Sequence, residues 1–151
     1  MNFTKVILIL ATFFSASFYV RAQAKPSAAA PKITVSPQKS SPAYAELLLR
    51  RVERESELEE FLLDYKDDFP KVKEIKFEID SLQKEMDRIL AVNAADAAKL
   101  SLALGKLMVR KTELETDLWN LQQQYSDDHP EVKRARRKIE IFEKAIKGIL
   151  S

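Results

Sequence analysis

The chain has 151 residues, of which 32% are charged and 46% are hydrophobic, with two Gly, six Pro, one His and no Cys. This length fits one small domain, and the scarcity of Gly disfavours the many tight turns of a sheet protein, so the composition predicts an all-α fold. Without Cys there is no disulfide framework, thiolate metal site or thiol nucleophile, and a single His leaves little scope for His-based catalysis.

The first 24 residues have the pattern of an export signal. Lys5 supplies a positive charge, residues 6–20 are apolar, and Ala22 and Ala24 are small residues that predict cleavage after Ala24. The apolar run has 15 residues, fewer than the ~20 that span a bilayer core as a helix. An uncleaved membrane anchor is the alternative, because Arg21 lies close to the cut. The pattern predicts an exported protein of the periplasm or the extracellular space.

Cleavage after Ala24 would remove Lys5 and Arg21 and leave 23 basic and 23 acidic residues. A neutral chain exerts no long-range attraction on nucleic acid, so we expect no nucleic-acid partner. Residues 25–42 contain four Pro and four Ser and little apolar surface. This composition predicts a disordered linker, either a spacer or simply an unstructured N-terminal segment.

Residues 46–90 recur as residues 106–150, with about one third of the aligned positions identical. The match is strongest at residues 65–73 and 125–133, around an Asp-Asp-x-Pro element. A repeat of this kind predicts two copies of one structural unit. We predict helical hairpin repeat 1 over residues 43–91, a connector over residues 92–96 and helical hairpin repeat 2 over residues 97–151, forming a coiled-coil or four-helix arrangement.

Apolar residues alternate at steps of three and four along the predicted helices, which is the pattern of a coiled-coil seam. The predicted seam residues are Val72, Ile75, Ile79, Leu82, Met86, Ile89, Leu107, Leu114, Leu118, Leu121, Val132, Ile139, Phe142, Ile146 and Ile149. Lys111 interrupts the row in the second copy, and Arg51 and Arg54 interrupt the corresponding row in the first. We expect these arginines to lay their methylene groups on the seam and to pair with Glu55 or Glu57, which makes the first helix the weakest.

Pro70 and Pro130 predict the direction reversals. Proline fits the first turn of a helix and disfavours helical geometry in the preceding residue, so one helix ends and another begins at each of these positions. Tyr65 and Tyr125 fall at the end of the preceding rows. A tyrosine there can close the hairpin tip with its ring while its hydroxyl reaches water.

The acidic residues before each proline are predicted to cap the following helix. Asp68 and Asp128 can accept hydrogen bonds from the first backbone N–H groups, and Glu131 can complete a capping box in the second copy. Lys71 occupies the equivalent position in the first copy and opposes the helix dipole. The second turn is therefore expected to be the firmer one.

The alanine-rich segment between the copies has two interpretations. Asn93 and Asp96 can cap a new helix after a tight turn, whereas the alanines favour one unbroken helix over about residues 70–126. The apolar rows of the two copies differ in phase by one residue at Ala103 and Leu104. This mismatch favours a break near Asn93.

His129 and the nearby Asp127, Asp128 and Glu131 invite comparison with a metal site. Phe69 occupies the equivalent position in the first copy, and helix capping accounts for the carboxylates, so we predict no metal and no cofactor. The sequence also lacks the pattern of a nucleophile with its base, a glycine-rich phosphate loop or an enclosed carboxylate pair. We predict that the protein is not an enzyme.

One dense basic cluster comprises Lys133, Arg134, Arg136, Arg137 and Lys138. It surrounds seam positions, which favours a solvated helix face, with contact to an acidic polysaccharide or to lipid head groups as the alternative. Residues 46–90 have nine basic and fourteen acidic side chains, whereas residues 106–150 have ten basic and eight acidic. Opposite signs favour packing of one hairpin on the other, or of one chain on its neighbour.

The segment Tyr125-Ser126-Asp127-Asp128-His129-Pro130-Glu131-Val132, and its copy over residues 65–72, resemble a family motif. They are similar to the Tyr-x-x-x-His-Pro-x-Val turn in the periplasmic coiled coil of polysaccharide co-polymerases, the chain-length regulators of exopolysaccharide export. The resemblance covers the hairpins, and Phe69 replaces the histidine in the first copy. It implies a bacterial envelope protein whose hairpin is a structural or assembly element near polysaccharide machinery.

Two functions of different class follow. The first is a non-enzymatic, exported coiled-coil interaction protein of the bacterial cell envelope, which associates with itself or with another helical envelope protein. Two-helix hairpins leave much of each seam open, so partners are expected. The alternative is a periplasmic holdase-type chaperone that shelters unfolded clients on an apolar face.

Overall fold

A computed structural model describes residues 36–151. Four long helices make up most of this region: α1 (Pro42–Asp64), α2 (Pro70–Leu90), α3 (Leu102–Gln122) and α4 (Pro130–Leu150). A short 3₁₀ helix (Ala94–Lys99) lies between α2 and α3, and residues 36–151 contain no strand. The predicted all-α class, with two antiparallel helical hairpins, is confirmed. The predicted signal peptide and residues 25–35 of the predicted linker lie outside the described residues.

The last residues of the predicted linker are ordered against the helices. Ser41 is buried and caps α1, because its side-chain oxygen accepts a hydrogen bond from the backbone N–H of Tyr44 at 3.2 Å. The Gln38 side chain donates to the carbonyl oxygen of Val92 at 2.8 Å. Residues 36–42 therefore form a turn that leads into α1 instead of extending the linker to residue 42.

The apolar core lies at the connector end of the four helices. Here α1 packs on α2 and α3, α2 packs on α3, and α4 packs on α3. The core consists of Ala43, Leu47, Leu82, Met86, Ile89, Leu100, Leu104, Met108 and Ile146. Leu100 lies in the connector, and the other core residues come from the starts of α1 and α3 and the ends of α2 and α4, so the proline turns are at the opposite end.

The connector is longer than predicted. The α2 helix ends at Leu90, and Asn93 begins the 3₁₀ helix by accepting a hydrogen bond from Ala95 N–H at 3.0 Å. A second cap, Ser101, accepts from Leu104 N–H at 3.3 Å and begins α3. The helices before and after the connector are therefore separate, as the phase mismatch indicated, and the connector covers residues 91–101 instead of 92–96.

The helix caps at the two proline turns differ from the predicted ones. Pro70 and Pro130 occupy the first turn of α2 and α4, which makes Phe69 and His129 the N-cap residues. The assignment of Asp68 and Asp128 as caps was wrong, because each lies one residue too early for its carboxylate to serve as the cap. The predicted capping box at Glu131 is also absent from the described hydrogen bonds. Instead, Glu131 N–H donates to the Nδ1 atom of His129 at 3.3 Å.

Candidate interaction surface

The predicted seam residues divide into two groups. The buried ones are Val72, Ile75, Leu82, Met86, Ile89, Leu114, Val132 and Ile146. The half-buried ones are Ile79, Leu107, Leu118, Leu121, Ile139, Phe142 and Ile149. In α4 only Val132, Ala135 and Ile146 are buried, although this helix has the most regular apolar row of the four. The outer helix α4 thus leaves much of its seam partly accessible to solvent.

The two proline turns have the same construction, built around a pair of stacked rings. Tyr65 stacks on Phe69 with ring centroids 4.1 Å apart, and Tyr125 stacks on His129 at 4.2 Å. The first aspartate of each turn also forms an ion pair with the following helix, Asp67 with Lys76 in the first copy and Asp127 with Arg136 in the second. The second turn has one more ion pair, between Asp128 and Lys133. His129 therefore takes the structural position of Phe69, which accounts for a histidine there without any metal.

Charged residues cross the middle of the bundle, where the seam is interrupted. Arg50 of α1 lies 3.0 Å from the carboxylate of Glu78 in α2 and 3.2 Å from that of Glu113 in α3. The guanidinium of Arg51 pairs with Glu55 at 2.8 Å, and that of Arg54 pairs with Glu57, as predicted from the sequence. Arg50 therefore joins three helices at a level where apolar packing is interrupted, whereas the pairs of Arg51 and Arg54 with Glu55 and Glu57 lie within α1.

Lys111 is at the centre of a second charged cluster that joins α2, α3 and α4. Its ammonium group lies 2.7 Å from buried Glu85, 2.8 Å from Glu115 and 3.8 Å from Glu143. Burial alone would lower the pKa of Lys111, but hydrogen bonds to Glu115 and Glu85 and their negative charges outweigh it and raise the pKa above its ordinary value. Lys111 is therefore charged in the folded protein and is neutralised by residues of three helices.

Glu143 ties α4 to the same cluster. Its carboxylate lies 3.0 Å from Arg88 of α2. Partial burial would raise the pKa of Glu143, but the hydrogen bond from Arg88 and the charges of Arg88, Lys111 and Lys147 hold this pKa below its ordinary value. The sequence had identified Lys111 only as an interruption, because helix register decides which carboxylates meet it.

The outer face of α1 displays apolar side chains that the seam analysis missed. Leu49, Val52 and Leu63 are 58%, 51% and 86% exposed. With Ser56 and Glu59 they form a second row at steps of three and four on the side of α1 that faces away from the core. That spacing is visible in the sequence and could have identified this face. We call Leu49, Val52, Ser56, Glu59, Glu60 and Leu63 the α1 outer face.

The outer face of α4 is basic. Arg134, Arg137, Ile141, Lys144 and Gly148 follow one another at steps of three and four on the side opposite the buried residues of α4, and we call them the α4 outer face. Ile141 is 67% exposed. Within residues 36–151, Arg137 and Lys144 have no ion-pair partner, whereas Arg134 pairs with Glu131 of its own helix at 3.1 Å. The remaining members of the basic cluster are exposed, and Lys133 and Arg136 pair with Asp128 and Asp127.

An open groove of about 480 Å³ lies between the start of α2 and the end of α3. Trp119 lines it and stacks on Phe77, with ring centroids 5.4 Å apart, while Asn120 donates a hydrogen bond to Glu74 at 3.0 Å. Asn120 and Glu74 in this groove are thus already paired with each other. In the described part of the chain, no three acidic or histidine side chains converge as a metal site would require.

Among residues 36–151, no helix combines the length and apolar character needed to cross a bilayer. Comparison with protein families, curated protein sequences and solved structures finds no match to this chain. The resemblance of the two turns to those of polysaccharide co-polymerases therefore stays a prediction.

Proposed function

We propose that this chain is a non-enzymatic, exported helical interaction protein of a bacterial cell envelope. The observation that carries the proposal is the pair of outer faces on α1 and α4. Exposed large side chains such as Leu49, Leu63 and Ile141 lie on a bundle whose own core is complete at the connector end. Contiguous exposed apolar residues bordered by charges are typical of protein docking surfaces.

The assignment to the envelope rests on the export pattern of residues 1–24 and on the two turns. The ring stacks of Tyr65 on Phe69 and Tyr125 on His129 give the turn motif a physical purpose, since each closes the tip of one hairpin. An association with exopolysaccharide export follows from the resemblance alone, as does a structural or assembly role there. Contact with an acidic polysaccharide or with lipid head groups would involve Arg137 and Lys138, which are exposed on α4.

Site-specific photo-crosslinking in a bacterial host tests the proposal. The full chain is expressed with a photoreactive residue in place of Leu49 or Ile141, and in place of Lys73 as the matched control on the exposed side of α2. We expect crosslinked adducts from the two outer faces, identified by mass spectrometry as this chain or another envelope protein, and few from position 73. Cell fractionation and sequencing of the mature N terminus check export. A chain that stays in the cytoplasm and gives equal adducts at all three positions would contradict the proposal.

The exposed leucines of α1 also favour the alternative of a holdase-type chaperone. A holdase needs an apolar surface that accepts many unfolded sequences, whereas the α1 outer face is a narrow row on a convex helix with Glu59 and Glu60 along it. We therefore expect the chain to leave the aggregation of an unfolded model client unchanged at near-stoichiometric ratio. Suppression of that aggregation, lost on Leu49→Ser and Val52→Ser substitution, would establish the chaperone function instead.

A further inference from the structure

We propose that two copies of this chain associate by packing the α1 outer face of one copy antiparallel against the α4 outer face of the other. This inference rests on the proposed function and names the surface and the partner. Both faces point away from the core, and both have charged residues beside exposed apolar side chains, which are Leu49, Val52 and Leu63 on α1 and Ile141 on α4.

The charges of the two helices determine which faces can pair. Residues 42–64 have seven acidic and three basic side chains, whereas residues 130–150 have seven basic and three acidic. Two α1 faces brought together would place Glu59 and Glu60 of both copies in one interface, and two α4 faces would do the same with Arg134 and Arg137. Like charges at an interface weaken it, and opposite charges favour it and set its register. The favoured pair is therefore α1 with α4.

The distribution of residues along each helix also sets the direction of packing. On α1 the apolar residues Leu49 and Val52 come first and the acidic Glu59 and Glu60 follow. On the α4 outer face two basic residues, Arg134 and Arg137, precede Ile141, and one, Lys144, follows it, so most of the positive charge comes first. An antiparallel pair with Val52 opposite Ile141 places Glu59 opposite Arg134, whereas a parallel pair with the same apolar contact would place Glu59 opposite Gly148.

This arrangement leaves the internal ion pairs of each bundle intact. Glu59, Glu60 and Arg137 have no ion-pair partner within the described residues, and Arg134 pairs only with exposed Glu131 of its own helix. Because α1 and α4 run in opposite directions within one copy, the two copies would lie side by side in the same orientation. Each copy has one α1 outer face and one α4 outer face, so each copy can bind two neighbours and association can continue into a ring or a chain. Association stops at a dimer only if both α1–α4 pairs form between the same two copies.

Charge reversal on the full chain tests the pairing, with self-association measured by analytical ultracentrifugation. One variant combines Glu59→Lys with Glu60→Lys, and the other combines Arg134→Glu with Arg137→Glu. Each variant alone should weaken self-association by about tenfold or more, because both outer faces then have the same sign. The chain with all four substitutions should associate within about threefold of the wild type, because the charges are again opposite. Lys73→Glu with Asp80→Lys, two exposed α2 residues without a described ion pair, is the control and should change nothing.

The outcomes separate the possible partners. If the α4 variant associates like the wild type, or if the fourfold variant stays weak, the α1–α4 pairing is wrong. A chain that is monomeric at micromolar concentration yet crosslinks through Leu49 to a different envelope protein would overturn this inference while leaving the proposed function in place. A monomeric chain without such crosslinks would overturn both. Circular dichroism and thermal unfolding of each variant check that the helices remain folded.

Discussion

Gly105 of α3 lies directly against the backbone of Ala43 in α1. A Cβ atom on Gly105 would come within 2.9 Å of the Ala43 Cα atom and 3.0 Å of its carbonyl oxygen. The backbone N–H of Ala43 also donates to the carbonyl oxygen of Leu100 at 3.2 Å. The close approach of α1 and α3 at the connector end therefore depends on a residue without a side chain.

Gly105→Ala should destabilise the fold although alanine is the better helix former. The added methyl group meets the backbone of Ala43 and the Cβ atom of Glu46, both held in place by α1, so the two helices must move apart, at a cost of about 1–3 kcal/mol. Gly148→Ala is the matched control, because a Cβ on Gly148 meets nothing within 4 Å. It should stabilise the protein by about 0.5 kcal/mol through helix propensity. Urea unfolding of both variants checks the opposite signs, and a stabilised Gly105→Ala protein would contradict the close approach.

Lys111→Met should destabilise the protein by about 2 kcal/mol, because it leaves buried Glu85 without its nearest cation. This loss of stability is smaller than is usual when a buried ion pair is broken, because Arg88 still lies 3.5 Å from Glu85. Combining Lys111→Met with Glu85→Gln should recover most of the loss, because the uncompensated charge is then removed. Equilibrium unfolding of the two single variants and the double variant measures the coupling, and additive effects would mean that the pair does not interact.

Glu143 should give the protein an acid-sensitive contribution to stability. Because the pKa of Glu143 is lowered in the folded state, its contribution is complete above the unfolded value near 4.5 and is lost as pH falls through the folded pKa below it. Glu143→Gln should therefore be less stable than the wild type at neutral pH, and the gap should narrow below about pH 4.5. Urea unfolding over an acidic pH series checks this. A gap that stays constant would show that the Arg88 and Lys111 contacts do not depend on the carboxylate charge.

His129→Phe should leave stability within about 0.5 kcal/mol of the wild type, because it exchanges one ring for another in the stack with Tyr125. The repeat already has this arrangement at Phe69, which caps α2 without a side-chain hydrogen bond. His129→Ala should cost about 1 kcal/mol, since it removes both the stack and the cap to Glu131 N–H. Thermal unfolding compares the two, and divalent metal should shift neither transition. A metal-dependent shift in the wild type that is lost in both variants would contradict the structural role of His129.

The hairpins could be predicted because their signals are local. Pro70 and Pro130 restrict the backbone conformation of the preceding residue in any fold. The break near Asn93 is also local, because the Asn93 side chain caps the helix that follows it. The caps themselves were missed for a related reason. Pro70 and Pro130 fall at the first helical position, which moves the cap to Phe69 and His129, and neither is a common capping residue.

The contacts between helices could not be predicted in the same way. Lys111 meets Glu85, and Arg50 meets Glu78, only because of the rotation and register of neighbouring helices, which no single segment specifies. The α1 outer face was hidden for a different reason. Leu49 and Val52 follow the same steps of three and four as a buried row, and spacing alone does not show which of two such rows on one helix faces the core.

The placement of the core at the connector end gives the molecule a gradient of rigidity. The two proline corners are held by a ring stack each and by exposed ion pairs, one at the first corner and two at the second, while the opposite end is held by side chains from all four helices. Amide hydrogens should therefore exchange first at the corners and last around Met86 and Leu104, which means that local unfolding begins at the proline turns and spreads toward the connector end.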